Sequence, residues 1–423
     1  METRTLTLNN VNLTNAGKTA AIEFKDNEHV FNIMLKGNNV ITSNGGGISM
    51  LCSLNIGGGG SLKCTNSNNK STSIWVRNGS TLSIKDCSLE LEGNNGISGT
   101  TFMTEKLEIS HATVHATGHQ SDAGYGGAGI RQFTQVTLQD CDVTAPYWAT
   151  YDNQECVFKL NGEVCGSVTI KPATLYNVWV KDKRVSSNNA GDVLNDGGSM
   201  TYNADKRTLS MSNATINYQD GSKVPLLFSG DDDYTLELQG NNCINTARGA
   251  VTTWSNLTIN GGGQLSCQSS NNTHTSIWVC NAKTLTIEKC TVIAKGWEGI
   301  SGTDKRAEHL VIDEARVEAS GIVPPEGKSG AAISQFATFS CINSEIVSPV
   351  GAQFDDNLGG VALNQSLCLD VAIAPVSTSV DHVPLSEPAV VAIYDLMGHR
   401  LQSERPGLNI VIMSDGTTRK ILR

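Results

Sequence analysis

The chain has 423 residues, a formal net charge of −10 and a hydrophobic share of 39%. That share supports a packed interior, whereas the acidic balance argues against nucleic acid, which wants a basic stripe. No run of about 18 apolar residues exists, so no membrane insertion is expected, and with 5% aromatics and 42 glycines the interior must be built from small aliphatics and tight turns.

The amino end, "METRTLTLNN", lacks a charged stretch followed by an apolar one, so it does not read as a secretory leader. Arg4-Thr5-Leu6 returns at Arg207-Thr208-Leu209, an offset of 203 residues. The offset holds for "SNNKSTSIWVRNGSTLSIKDC" (Ser67–Cys87) against "SNNTHTSIWVCNAKTLTIEKC" (Ser270–Cys290), and for Ile97-Ser98-Gly99-Thr100 against Ile300-Ser301-Gly302-Thr303. It slips by one residue only around Gly17 and Gly221. The chain is therefore two copies of one large unit plus a tail, and internal repeats decide architecture before any local reading does. The second copy is preceded by "YNVWVKDKRVSSNNAGDVLNDGGSMTYNAD" (Tyr176–Asp205) and the first is not, so a leader is expected ahead of Met1.

Within the first copy a shorter period appears. Ile22, Ile48, Ile74 and Ile97 are spaced 26, 26 and 23 residues apart, each opening a coil that passes through a turn rich in Asn, Gly or Ser. Strands such as "TLSIKDCSLEL" alternate with period two, which means one buried face and one wet face. Short alternating strands at this spacing predict a parallel β-helix, a solenoid that grows along one axis. The hairpin loops of a sandwich are missing. Two columns follow: Ile48, Ile74, Ile97 and Ile130 in one copy, and Val251, Ile277, Ile300 and Ile333 in the other. Twelve or so coils would make a rod of about 60 Å at about 4.8 Å per coil. The predicted bounds are residues 1–173 and 205–375 for the two units, 174–204 for an excursion between them, 376–388 for a linker and 389–423 for a C-terminal module. A monomer is expected.

Of the twelve cysteines, six recur as pairs at equivalent places, Cys64/Cys267, Cys87/Cys290 and Cys165/Cys368. Free Cys packs as a small hydrophobe, so inward stacks of thiols are favoured, with disulfides left open. No Cys/His spacing suits zinc.

Alternation points Ile74 and Val76 inward and therefore Trp75 outward; Trp278 repeats this one unit later. An outward tryptophan on a β-helix is a platform for a sugar ring, unless a loop covers it. Trp148 and Tyr151 in "APYWATYDN" would extend the platform of the first unit. Calcium is a possible ligand at three acidic places. They are Asp152 in "YDNQ", Asp355 and Asp356 in "FDDN", and Asp231 and Asp233 in "DDD", where the competing reading is Asp and Asn capping a turn. His111, His115 and His119 are spaced by four, but "LEISHATVHATGHQ" alternates like strand and turn, against a histidine metal site.

The Gly-Ile turns, the "LTI…C" strands and "NAGDVLNDGGSMTY" together resemble a bacterial family of secreted carbohydrate-binding right-handed β-helix proteins with a pectate-lyase-like fold. The resemblance covers about Thr3 to Pro375 and implies a polysaccharide or other glycan as partner, often with calcium. The family's acidic Asp-Asp-Gly-Ile turns are replaced here by Gly45-Gly46-Gly47-Ile48 and Trp297-Glu298-Gly299-Ile300. The tail, Ala389 to Arg423, is similar to the C-terminal sorting module of type 9 secretion substrates. The match runs through Tyr394-Asp395-Leu396, Gly398-His399-Arg400, Pro406-Gly407-Leu408 and Lys420-Ile421-Leu422, and implies export to the medium or the outer cell surface. A plain β-cap is the alternative reading of this segment. The Asp pairs, Gly-His-Gly and Arg-x-Lys of related hydrolases are missing, so binding without catalysis is expected. A polysaccharide lyase or hydrolase, and a structural surface spacer or adhesin, are the rival readings.

Overall fold

The computed structural model describes residues 4–66, 70–120, 126–220, 222–270, 273–322, 330–376, 389–414 and 416–423. Among these there is no helix, and the chain is an all-β, right-handed parallel solenoid of about 12 turns with a small antiparallel module at its C-terminus. Contacts divide it into two compact units, Met1–Pro375 and Val376–Arg423.

Each coil lays one strand on each of three faces. In the first half, Thr81–Lys85 on the first face pairs in parallel with Leu54–Gly57 below and Lys106–Ser110 above. Ser88–Gly93 lies between Ser61–Asn66 and Thr113–Gly118 on the second face, and Ile97–Ser98 lies between Ile74–Val76 and Ile130–Arg131 on the third. The corner from first to second face turns on left-handed residues. Asn10, Asp86, His111 and Asp140 do this in the first half, and Asn213, Lys289, Glu314 and Asn343 in the second. Asn and Asp tolerate that conformation better than most residues. At Gly37 the corner admits no side chain, because a Cβ would come within 2.2 Å of the Asn10 side-chain oxygen. His111 is thus a corner residue and His115 a strand residue bonded to Thr169, so the three histidines share no metal-ligating arrangement.

The register stacks like on like. Ile22, Ile48, Ile74, Ile97 and Ile130 form one ladder, and Val251, Ile277, Ile300 and Ile333 the other. Every member from Ile48 onward, in both ladders, is buried. All twelve cysteines are free thiols. They do not stack on one another, however: Cys64 sits between Ile41 and Leu91, and Cys267 between Ile244 and Ala294. A thiol and an aliphatic are close enough in size to share a column. Burial pushes the Cys64 and Cys290 thiols up to about 12.

The twelve turns fall into two stacks of six, since no sheet contains strands from both halves. Each half has its own core, one running from Leu8 to Ile170 and the other from Val178 to Ile373. The break has a structural cause. After its sixth coil the first half sends Ser167–Pro172 back, antiparallel, between Thr113–Gly118 and Cys141–Ala145. The second half repeats this with Asp370–Pro375 between Arg316–Gly321 and Ser344–Ser348.

The excursion then covers the first coil of the second half. Leu175–Val180 pairs antiparallel with Leu226–Phe228, and Met200–Asn203 with Thr208–Ser212. It is anchored to the first half at a mostly buried ion pair, Lys183 Nζ to Asp142 Oδ1 at 3.1 Å. The same ammonium donates to the Val143 carbonyl oxygen, and the Ser186 hydroxyl to the other Asp142 oxygen.

The C-terminal module is a four-stranded antiparallel sheet in the order Arg400–Leu401, Val390–Tyr394, Leu408–Met413, Thr418–Leu422. Turns fall at Gly398 and Gly407, both in the left-handed region that glycine favours; Asp415 and the linker beyond Val376 lie outside the described residues.

Candidate functional site

The third face of each half carries the predicted aromatic. Its strands are three residues long or thereabouts, so each coil offers one outward position between two inward ones. In the first half these outward residues are Glu23, Ser49, Trp75, Ser98 and Arg131, one above another. In the second they are Leu227, Thr252, Trp278, Ser301 and Ser334. Trp75 is 42% exposed and Trp278 41%, whereas the serines and the threonine around them are buried. The indoles therefore stand out from a strip of hydroxyls. The hydroxyls bond within the protein, so what this strip presents outward is the apolar ring of each indole, the surface on which a sugar ring stacks.

Beside Trp75 lies a groove of about 300 Å³ lined by Lys18, Gly45, Gly46, Ser49, Lys70 and Thr72 among others. Its floor depends on Gly46, at φ 99°, where a Cβ would sit 2.8 Å from the Thr72 carbonyl oxygen. Arg77 lies against one face of the indole, its guanidinium carbon 4.4 Å from the ring centroid, and donates to the Ser49 hydroxyl at 2.7 Å. One ring face of Trp75 is thus occupied by a cation.

The second half builds its version differently. The Trp278 indole N–H donates to the Gly302 carbonyl oxygen at 2.9 Å, which fixes the ring. Trp254, one coil earlier, is 43% exposed. Cys280 stands where the first half has Arg77, and burial, with a smaller contribution from the Glu308 charge, pushes its thiol up to about 12. Burial, and then the Arg248 charge, pull the His274 imidazole down. Sequence reasoning missed Trp254, because the equivalent residue 203 earlier is Leu51 and no repeat flags it.

Trp148 and Tyr151 do not join this strip. Tyr151 points its hydroxyl back to the Phe133 backbone, donating to the carbonyl at 2.6 Å and accepting from the N–H, and packs edge-on against Phe158. Trp148 meets Tyr147 edge to face and carries the Lys181 ammonium 4.7 Å above its ring, so it belongs to the joint with the excursion.

Two of the acidic candidates, Asp152 and Asp355, are turn caps. Asp152 accepts from the backbone N–H groups of Gln154 and Glu155, which with Lys159 hold its carboxyl below the usual range. Asp355 accepts likewise from Asn357 and Leu358. Asp233 takes the Asn256 amide, and the neighbouring Asp232 pairs with Arg207. Asp231 and Asp356 belong to no cluster of ligating side chains among the described residues. Among the described residues no three His, Cys, Asp or Glu side chains gather in a metal-ligating group.

Two of the buried carboxylates, Glu105 and Glu308, stand at equivalent places and went unpredicted. Glu105 is 1% exposed and accepts from the backbone N–H groups of Gly79, Thr100 and Thr104 and from the Thr100 hydroxyl. Glu308 repeats this with Ala282, Thr303 and Ala307. Burial pushes each carboxyl up, but the hydrogen bonds outweigh it and hold both below the usual range. With every lone pair engaged, these carboxylates tie adjacent coils together and have none left for a substrate.

The fold and this strip together define a duplicated parallel β-solenoid with one aromatic–hydroxyl face per copy. Comparison of the chain with known protein families, curated proteins and solved structures finds no match.

Proposed function

We propose that this protein is a non-catalytic carbohydrate-binding solenoid that works outside the cell or on its outer surface. The observation that carries the reading is the pair Trp75 and Trp278, equally exposed at equivalent positions of two separate stacks, each set in a strip of hydroxyls. The resemblance to secreted, pectate-lyase-like sugar-binding β-helices supports the ligand class, and the tail's similarity to a type 9 sorting module supports export. Calcium plays no part in this reading, because Asp152 and Asp355 serve their own turns.

Two platforms on one molecule favour polymers, since a long chain engaging both gains avidity that a short oligosaccharide cannot. Trp75→Ala and Trp278→Ala should each weaken polysaccharide binding by about 1–2 kcal/mol with little change in melting temperature. Binding measured on long and short chains, alongside thermal unfolding, tests this. Lost stability with intact binding would end the platform idea, and release of reducing or unsaturated sugar would move the protein to the enzymes.

A further inference from the structure

The two faces have diverged in charge, and the duplication supplies an internal control for reading that divergence. In the first half Arg77 lies on Trp75, and Arg131 ends the same outward column, two coils above the indole. Each guanidinium keeps a buried Nε without a hydrogen-bond partner. Neither has a carboxylate within ion-pairing distance among the described residues, and Lys18 and Lys70 line the adjoining groove. The carboxylate on this column, Glu23, is paired with Lys25 at 2.9 Å. At the positions 203 residues on, the second half has Cys280 for Arg77 and Ser334 for Arg131. It also has Glu298 for Asn95, a buried carboxylate that accepts from the Ser334 and Thr275 hydroxyls at 2.7 and 2.9 Å. Arg248, in the place of Gly45, directs its guanidinium to the Ser222 carbonyl oxygen. What the second half gains is a second exposed indole, Trp254.

We infer that the two faces take different sugars: the Trp75 face binds residues carrying a carboxylate or sulfate, and the Trp254–Trp278 face binds uncharged ones. This rests on the carbohydrate-binding reading and sharpens it. A guanidinium lying on one face of an indole leaves the other face for a ring contact and sets a positive charge beside it for an anionic sugar. Two exposed indoles, with Cys280 where the first half has its guanidinium, offer stacking without a cation. A heteropolymer that alternates acidic and neutral sugars satisfies both faces.

The test uses the full chain with one face removed at a time. Trp254→Ala combined with Trp278→Ala leaves the first face, and Trp75→Ala the second. Binding is measured by calorimetry to alginate and its carboxyl-esterified form, and to dextran sulfate and dextran, at low and moderate salt; the two pairs separate carboxylate from sulfate. The Trp254→Ala/Trp278→Ala protein should prefer the charged member of at least one pair by tenfold or more, and salt should erode that preference. Arg77→Cys combined with Arg131→Ser, the second half's own residues, should abolish it without lowering the melting temperature greatly, while Arg77→Lys retains part of it. The Trp75→Ala protein should show no preference for charge. Equal binding of charged and uncharged polymers by both single-face proteins overturns this inference and leaves sugar binding standing. Failure of the unmutated protein to bind any glycan on a broad array overturns both.

Discussion

Glu105 shows how one side chain serves two coils. Its carboxylate gathers N–H groups from the corner at Gly79 and from the loop between Thr100 and Thr104. Glu105→Ala would orphan these buried donors at about 1–3 kcal/mol each. Several kcal/mol should therefore be lost at neutral pH, read from denaturant unfolding. Because the folded carboxyl titrates below its unfolded value, its stabilisation is complete above the unfolded pKa and is lost as pH falls through the folded one. The unmutated protein should lose stability on acidification below the ordinary carboxylate range more steeply than the variant. A parallel pH dependence of the two proteins would remove Glu105 from this role. The sequence held a trace of it: Ser-Gly-Thr followed five residues later by Glu occurs at both Thr100/Glu105 and Thr303/Glu308. A lone acid in a polar loop otherwise reads as solvated, because burial here comes from the neighbouring coil and leaves no local periodicity.

At the scale of the strand, the inward ladder on the third face was legible because its cause is local. Period-two alternation fixes which side chains face in, and a one-residue slip would put Trp75 inside and Ile74 outside. Ile74→Asp places a charge without a partner between Ile48 and Ile97 and should cost several kcal/mol. Thermal unfolding unchanged from the parent would refute that register. The direction of Ser167–Pro172 could not be read in the same way. "SVTIKP" alternates as "TVHATG" does, and alternation says nothing about which way a neighbour runs. Its placement depends on the hairpin Val157–Leu160 with Glu163–Val164 returning the chain, a long-range matter. For the candidate site the division is similar. The outward tryptophans followed from alternation, but the guanidinium on Trp75 comes from Arg77, whose side chain folds back over the preceding coil to reach Ser49.

At the scale of the molecule, the two halves have separate cores and separate sheets within the one compact unit Met1–Pro375. A fragment spanning Thr174–Pro375 contains its core and the excursion that covers its first coil, so it should fold alone with cooperative melting. The fragment 205–375 leaves the edges of Leu226–Phe228 and Thr208–Ser212 unpaired, and exposed sheet edges invite association. It should melt lower or aggregate, as circular dichroism and sedimentation would show. Equal behaviour of the two fragments would mean the excursion is a tether only.

The returning strand at the end of each stack has a geometric consequence. On the first face the sixth coil follows the fifth directly, Gln135–Gln139 on Lys106–Ser110, whereas on the second face Ser167–Pro172 stands between them. One side therefore advances by about 4.8 Å and the other by about twice that. The last coil is a wedge, and a seventh coil laid on it would meet tilted hydrogen-bonding rows. Solenoids otherwise offer at their ends the template on which fibres grow. In the language of polymerisation, the wedge is a terminator, and each half carries its own at the C-terminal end of its stack.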